Sequence, residues 1–220
     1  MTALAIDTST ETLSLCCRGD GFFFDLSRNI DLRHCEELVP LADWLFSRVN
    51  ISPKDLDLVV VSGGPGSFTG LRIGMASAKG LAAGAGCPLV SVPTLDIYGQ
   101  FPCEDCVTLP LIDARKKRFY AAFYRGGKRL CDYMDASPEE ILAKAAEYPR
   151  VMLTGPHAST FWALEIAREK PGVFVDPDAG GGKAAVLLRL GMEAFRRGER
   201  NCGLIYIREP EVTTPKFPGL

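Results

Sequence analysis

Residues 62–72 of the chain read Ser-Gly-Gly-Pro-Gly-Ser-Phe-Thr-Gly-Leu-Arg. The apolar run before them, residues 56–61, predicts a buried strand, and residues 71–84 behind them predict a helix. Four glycines and a proline within residues 63–70 let the backbone reach φ > 0 and approach another group closely. Backbone N–H groups at such a helix start form an anion site, although a tight turn with a capped helix fits the same residues.

Neither common phosphate-binding motif matches this loop. A Walker A loop ends in Gly-Lys-Ser/Thr, whereas residues 69–71 read Thr-Gly-Leu. Residues 64–66 begin a G-x-G-x-x-G pattern, but Thr69 stands where the last glycine belongs. The loop therefore predicts a close backbone approach and leaves the ligand open.

The helix after the loop carries a row of small residues at Gly70, Gly74 and Ala78, with Leu81 beside it. An interior glycine costs about 1 kcal/mol of helix propensity relative to alanine, so this helix needs close packing. The row packs either on the protein's own sheet or against a partner. Arg72 opposes the helix dipole in the first turn, which an acidic neighbour or a partner carboxylate would explain.

Composition narrows the class of protein. A length of 220 residues suits one large domain or two small ones, and a net charge of −2 argues against strong nucleic-acid binding by this chain alone. Two short basic clusters, residues 115–118 and 196–200, are typical of a solvated face.

No signal peptide or membrane-length apolar run is present, which predicts a cytoplasmic protein with reduced thiols for its eight cysteines. Cys103 and Cys106 form one C-x-x-C pair, and a structural zinc site needs a second pair.

Both halves of the chain predict the element order βββαβα. In the first half, strands at 4–7, 12–17 and 22–26 precede a helix at 33–49, the strand at 56–61 and the helix at 71–84. In the second half, the strands are at 107–113, 119–124, 129–134, 151–153 and 173–175, and the helices open at 137 and cover 159–168 and 183–197. The first strand of each half ends in an aspartate, Asp7 and Asp113.

This α/β layout of duplicated βββαβα units resembles the actin-like ATPase (ASKHA, ribonuclease H-like) fold. We expect two subdomains, at residues 1–100 and 101–220, with the partner-binding helices in the first. The polar, proline-rich residues 209–216 predict a frayed tail.

Several motifs together resemble one family, the TsaB (YeaZ-like) proteins of bacterial tRNA threonylcarbamoyladenosine biosynthesis. The loop at 62–72 carries the most specific part of the match. The supporting motifs are Ala5-Ile6-Asp7-Thr8-Ser9, His34-Cys35-Glu36-Glu37-Leu38, Ile112-Asp113-Ala114-Arg115 and Tyr206-Ile207-Arg208.

The resemblance implies a non-catalytic subunit that needs no cofactor. Proteins of this family pair with the related catalytic subunit TsaD and, with the ATPase TsaE, transfer a threonylcarbamoyl group to the adenosine beside the tRNA anticodon. They also self-associate as a homodimer through the face that otherwise meets TsaD. The resemblance therefore implies that this chain meets tRNA only through the complex and does not bind a membrane.

The two N-terminal helices are expected to build the partner interface. Trp44 lies outside the apolar arc of the first helix and is a candidate anchor, although singly exposed aromatics are about as common. The predicted interface comprises His34, Leu38, Leu41, Trp44, Leu45, Gly70, Arg72, Gly74, Ala78 and Leu81.

The sequence carries no complete active site. Its two histidines, His34 and His157, do not share metal-ligand spacing, so a metallopeptidase lacks its ligands. In the actin-like fold, Asp7, Gly66, Ser67 and Asp113 would line a degenerate nucleotide cleft, which leaves room for weak ATP or ADP binding. Both aspartates equally fit turn-capping roles. The alternative function is a stand-alone phosphotransferase that uses Asp7 and Asp113 around Mg·ATP.

Overall fold

The structure is a computed structural model and describes residues 1–31, 33–100, 103, 105–179 and 181–208. The predicted frayed tail at residues 209–216 lies outside the described residues. Each half of the chain forms one sheet, and the α/β class and the duplicated order are confirmed. Within the described residues, no helix combines the length and the apolar character that a membrane crossing requires.

The first sheet has the order β3-β2-β1-β4-β5. Its strands are β1 (Ala3–Asp7), β2 (Thr12–Gly19), β3 (Phe22–Asn29), β4 (Leu58–Ser62) and β5 (Leu89–Val92). The first three form an antiparallel meander, and β4 and β5 run parallel to β1. Every residue of β1 and β4 is buried because helices cover both faces of the sheet.

Helices α1 (His34–Val49) and α2 (Phe68–Ala85) cover one face of this sheet. Pro40 lies inside α1, and the short α3 (Thr94–Tyr98) follows β5. Sequence analysis did not predict α3, because a five-residue helix is too short to show a periodic pattern. Pro93 directly precedes this helix, which begins at Thr94.

The last helix, α7 (Ala184–Arg196), covers the other face of the first sheet. Its buried residues Leu187, Leu188 and Met192 pack against Ala5 and Val60. The chain's last helix therefore packs on the sheet formed by residues of the first half. The amphipathic pattern of α7 identifies a helix without saying which sheet its apolar face covers.

The second sheet has the order β10-β7-β6-β11-β12, with a β8–β9 hairpin beside it. Its strands are β6 (Val107–Asp113), β7 (Phe119–Ala121), β8 (Tyr124–Arg125), β9 (Lys128–Arg129), β10 (Met134–Ala136), β11 (Val151–Thr154) and β12 (Val173–Val175). The predicted strands at 119–124 and 129–134 are therefore each shorter than expected. Leu111 pairs with Ala121 and Thr108 with Tyr124, so Ala122 lies opposite Pro110, which has no N–H to donate to the ladder.

Three shorter helices complete the second half. The predicted capping box at Ser137 is confirmed: its Oγ accepts from the Glu140 N–H at the start of α4 (Pro138–Ala145). One predicted helix at 159–168 is instead α5 (Ala158–Trp162) and α6 (Glu165–Arg168). The break occurs because the Leu164 backbone is extended.

Cys103 and Cys106 form a disulfide, so the prediction that all thiols are reduced is wrong for this pair. Their Cα atoms lie 5.5 Å apart, within the range that a disulfide spans. Spacing alone indicated a C-x-x-C pair without showing that the loop before β6 folds the two side chains together.

The small-residue row of α2 faces the inside of the molecule. Gly70, Gly74 and Ala78 are buried. A Cβ on Gly70 would lie well under 3.0 Å from the Thr8 carbonyl oxygen, and one on Gly74 equally close to Thr8 Oγ1. The row exists because the turn after β1 lies directly against α2. Gly80 and Gly84, farther along the helix, have nothing within 4 Å of an added Cβ.

A tyrosine pair joins α3 to the second sheet. The hydroxyls of Tyr124 and Tyr133 both donate to Asp96 Oδ1, at 2.6 Å and 3.0 Å. Tyr124 is 1% exposed, and burial, followed by the Asp96 charge, raises its pKa far above 10.0. The phenol therefore stays protonated and the hydrogen bond persists at alkaline pH.

We predict opposite effects for two glycine substitutions in α2. Gly74→Ala should lower the free energy of unfolding by about 1–3 kcal/mol because its methyl group overlaps Thr8 Oγ1. Gly80→Ala should raise it by about 0.5–1 kcal/mol because the position is open and alanine favours a helix. Urea unfolding of both variants and the wild type measures the difference, and equal stabilities would contradict the packing described.

We predict that Tyr124→Phe lowers the free energy of unfolding by about 1–3 kcal/mol, because Asp96 loses its shorter hydrogen bond. The raised pKa of Tyr124 means that, above 10.0, the unfolded chain releases a proton that the folded chain keeps. Stability therefore falls as pH rises past that value, and the variant should lose part of this slope. Urea unfolding near neutral pH and above pH 10 tests both effects. Tyr148→Phe is the control, since Tyr148 contacts Phe123 through its ring.

Candidate functional site

A cleft of about 410 Å³ lies where the ends of the two sheets meet. Three segments form its walls: the turn after β1, the loop from β4 to α2, and the turn after β6. His34 from the start of α1 and His157 from the start of α5 complete the lining. The cleft brings together Gly66, Ser67 and Asp113 of the predicted cofactor residues, whereas Asp7 does not line it.

Asp7 serves the turn in which it lies. Its Oδ1 accepts hydrogen bonds from the Ser9 N–H at 3.0 Å and from Ser9 Oγ at 2.7 Å. The residue is 1% exposed, so the carboxylate is enclosed by its own turn. This is the turn-capping role that the sequence allowed, and it engages Oδ1 in hydrogen bonds within the turn.

Asp113 has a similar local role in the second half of the chain. Its Oδ1 accepts from the Arg115 N–H at 2.7 Å, and its Oδ2 lies 3.4 Å from Arg115 Nη1. The Asp113 side chain is 28% exposed and the Arg115 side chain 79%. The pair is therefore open to water and contributes little to stability, but it places one negative and one positive group at the cleft.

The loop between β4 and α2 is held against the turn after β1. The Ser67 N–H donates to the Ser9 carbonyl at 2.7 Å, and the Gly70 N–H donates to Ser67 Oγ at 3.2 Å. Ser67 is thus the N-cap of α2, as its position before the helix allowed. A Cβ on Gly66 would overlap the Ser9 carbonyl oxygen, so only glycine fits this approach.

The two histidines of the cleft differ in their surroundings. His34 is 1% exposed, and its Nε2 has no hydrogen-bond partner among the described residues. Burial lowers the pKa of His157, an effect that outweighs the opposing charges of Glu11 and Asp113. His157 is therefore neutral near pH 7, and Glu11 and Asp113 are the carboxylates that line the cleft.

The described residues contain no group of three or more His, Cys, Asp or Glu side chains that could hold a metal ion. Asp7 and Asp113 are each engaged with a neighbour two residues along the chain. The cleft can accept a polar group, since hydroxyls, N–H groups and one arginine line it. Its two carboxylates oppose a bare anion.

A second surface is formed by the outer sides of α1 and α2, here called the two-helix face. It exposes Val39, Pro40 and Trp44 on α1, and Arg72, Ala76, Gly80 and Ala83 on α2. Trp44 is 43% exposed, and its ring contacts the Phe24 ring edge-on at 5.7 Å and the Arg48 guanidinium at 5.1 Å. Trp44 is thus fixed in place while part of it remains open.

The predicted interface set divides by exposure. Six members are buried within this chain, and His34 and Gly70 among them line the cleft; the six are His34, Leu38, Leu45, Gly70, Gly74 and Ala78. Leu41 and Leu81 are half-buried, and only Trp44 and Arg72 are exposed. Small residues at four-residue spacing occur on both sides of α2, so the sequence could not show that the row at Gly70 faces inward.

A third feature escaped sequence analysis. Residues 201–208 pass over the loop before α2 and form, with α2 and the turn after β6, a groove of about 320 Å³. Phe68, Tyr120 and Tyr206 line this aromatic groove. The motif at 206–208 was visible in the sequence, but Tyr206 and Phe68 are far apart along the chain and no periodicity connects them.

Comparison with known proteins agrees with this architecture. The family model for TsaD, tRNA N6-adenosine threonylcarbamoyltransferase, matches residues 29–175. The chain is 34% identical to the tRNA threonylcarbamoyladenosine biosynthesis protein TsaB of Bacillus subtilis over 127 residues, which cover 57% of this chain and 56% of that protein. The Escherichia coli protein of the same name is 34% identical over 128 residues, 57% of this chain and 55% of that protein.

These matches span little more than half the length of the two curated relatives. The structure extends the likeness along the chain. YeaZ from Pseudomonas aeruginosa superposes with a TM-score of 0.77 at 26% identity, covering 94% of this chain and 99% of that chain. With a family model that matches well over half of its residues, the chain belongs to the TsaD family and is a TsaB-like protein with the actin-like ASKHA fold.

Proposed function

We propose that this chain is a non-catalytic scaffold and activator subunit in tRNA threonylcarbamoyladenosine biosynthesis. In this role it pairs with the catalytic subunit TsaD, works with the ATPase TsaE in the cytoplasm, and meets tRNA through the complex. One observation carries the proposal: the two strand-end aspartates, Asp7 and Asp113, bond to their own turns, while two adjacent helices leave an open face.

The cleft favours this role over a stand-alone phosphotransferase. Such an enzyme needs carboxylates that are free to hold Mg²⁺ and to act on a phosphoryl group. Asp7 is buried, and the Asp113 carboxylate forms an ion pair with the Arg115 guanidinium. Weak ATP or ADP binding remains part of the proposal, and the protein needs no cofactor for the scaffold role.

The two-helix face suits a protein partner. Val39 is 65% exposed and lies on the same helix as Trp44, whose ring is partly open. Ala76, Gly80 and Ala83 on α2 are small and exposed, so another helix can approach this helix closely. Tryptophan is among the residues enriched at the centres of protein interfaces. We propose that TsaD binds here and that a second copy of this chain competes for the same face.

The proposal predicts that charge placed on this face breaks the pairing. Val39→Glu and Ala76→Glu should each weaken binding to TsaD at least about tenfold, since each buries an unpaired carboxylate on association. Calorimetric titration measures the affinity. Ala143→Glu, which places the same charge on an exposed site of α4, is the matched control. Wild-type affinity in both face variants would show that TsaD binds elsewhere or not at all.

A reconstituted assay tests the absence of catalysis. Threonylcarbamoyl transfer to tRNA by TsaD, TsaE and the donor-forming enzyme should require this chain, and the chain alone should be inactive. Asp113→Asn should change the rate less than about twofold, because the amide oxygen still accepts from the Arg115 N–H. A loss of several hundredfold would show that this carboxylate is essential to the reaction and would contradict the non-catalytic role.

A further inference from the structure

The aromatic groove combines stacking surfaces with positive charge. Phe68 and Tyr206 are each 43% exposed, and their ring centroids lie 5.9 Å apart. Tyr120 supplies the third ring that lines the groove. Arg115, Lys116 and Arg208 are the cations that line the groove.

The two rings are held in place by an arginine. The Arg72 guanidinium lies 3.6 Å from the centre of the Phe68 ring, and its Nε donates to the Tyr206 hydroxyl at 3.3 Å. The Ile205 N–H donates to the Gly63 carbonyl at 2.7 Å and fixes the segment just before Tyr206. The ring surfaces are therefore ordered before any ligand arrives, which reduces the entropy cost of stacking.

The charges of the groove differ from those of the cleft beside it. None of the described residues that line the groove is acidic, whereas Glu11 and Asp113 both line the cleft. Arg208 Nη2 lies 2.6 Å from Asp135 Oδ2, so this ion pair neutralises the Arg208 charge. The Arg208 side chain still forms part of the groove lining. Arg115 keeps an exposed side chain, because its contact with Asp113 is long and open to water. The groove is thus the better site for an anion.

The turn that carries these cations has an unusual backbone. Arg115, Lys116 and Lys117 have φ values of 62°, 54° and 58°, in the left-handed region that residues other than glycine rarely adopt. Asp113 holds one end of the turn through the Arg115 N–H, and Arg118 bonds to Asp135 at the other. Strain of this kind is found most often at binding and catalytic sites.

We propose that the aromatic groove binds one nucleotide unit of single-stranded RNA, with its base on Phe68 and Tyr206 and its phosphate at Arg115. Exposed aromatic side chains next to cations are how proteins hold unpaired nucleotides. A volume of about 320 Å³ matches the low end of small-ligand pockets. The choice of RNA rests on the proposed function, since that complex acts on tRNA. A single nucleotide contact gives weak binding to the isolated chain, in keeping with a net charge of −2.

Fluorescence anisotropy with labelled single-stranded oligoadenylate tests this site on the full chain. Tyr206→Ala should weaken binding about tenfold, whereas Tyr206→Phe, which keeps the ring, should stay within about twofold of the wild type. Arg115→Gln should weaken binding and lower the salt dependence by about one phosphate contact. Lys54→Gln, an exposed charge outside the groove, is the control.

Competition with AMP and with inorganic phosphate distinguishes the source of the ligand. Unlabelled oligoadenylate should displace the probe at a lower nucleotide concentration than AMP, and phosphate alone should not displace it. AMP that competes equally well would overturn the RNA assignment in favour of a free nucleotide. Undetectable binding, or equal affinity in Tyr206→Ala, Arg115→Gln and the wild type, would overturn the site itself.

A second measurement separates this inference from the proposed function. In the reconstituted complex, Arg115→Gln should raise the KM for tRNA several-fold with kcat unchanged, while the affinity for TsaD stays at the wild-type value. If the chain fails to bind TsaD but still binds oligoadenylate, the scaffold role is wrong and the groove stands. If the chain binds TsaD but Arg115→Gln leaves the KM for tRNA unchanged, the groove assignment is wrong and the scaffold role stands.

Discussion

The contact between the turn after β1 and the start of α2 is the constraint on which the rest of the structure depends. The Ser67 N–H bonds to the Ser9 carbonyl at 2.7 Å, and glycines at 66, 70 and 74 leave the space that Thr8 and Ser9 occupy. Because of this contact, the inner side of α2 is covered by this chain's own residues. The contact also forms one wall of the cleft from the protein's own atoms, and Gly66 and Phe68 of the same loop line the aromatic groove on its other side.

Much of the fold could be predicted because its signals are local. Mostly apolar runs at 4–7, 56–61 and 107–113 identified β1, β4 and β6, and the Ser137 capping box located α4. The interruption between β7 and β8 was not predicted, because it depends on Pro110 facing Ala122 across a ladder whose register the sequence does not show. The position of α7 on the first sheet was missed for the same reason: which sheet an amphipathic helix covers is decided by packing between distant segments.

The candidate site was less predictable than the fold. An aspartate at a strand end commonly binds either a ligand or the backbone N–H of the residue two positions later in the chain. The sequence looks the same in both cases. Asp7 and Asp113 both bond two residues on, to Ser9 and Arg115. Interface residues posed a similar problem, since small residues at four-residue spacing are compatible with either side of a helix. The decisive information was the position of Thr8, which approaches Gly74 and leaves Gly80 open.

The segment at 201–208 explains why the groove and the two-helix face belong to one structural unit. It is tied to the first half by Ser91, whose N–H donates to the Asn201 carbonyl at 2.7 Å, and to the second half by Arg208, which bonds to Asp135 and to the Ala114 carbonyl. Between these ends, Tyr206 accepts a hydrogen bond from Arg72, an exposed residue of α2. A partner carboxylate that drew Arg72 away would release the Tyr206 hydroxyl and the Phe68 ring together. The two-helix face and the groove thus share the first turn of α2, where Arg72 contacts both the Phe68 ring and the Tyr206 hydroxyl.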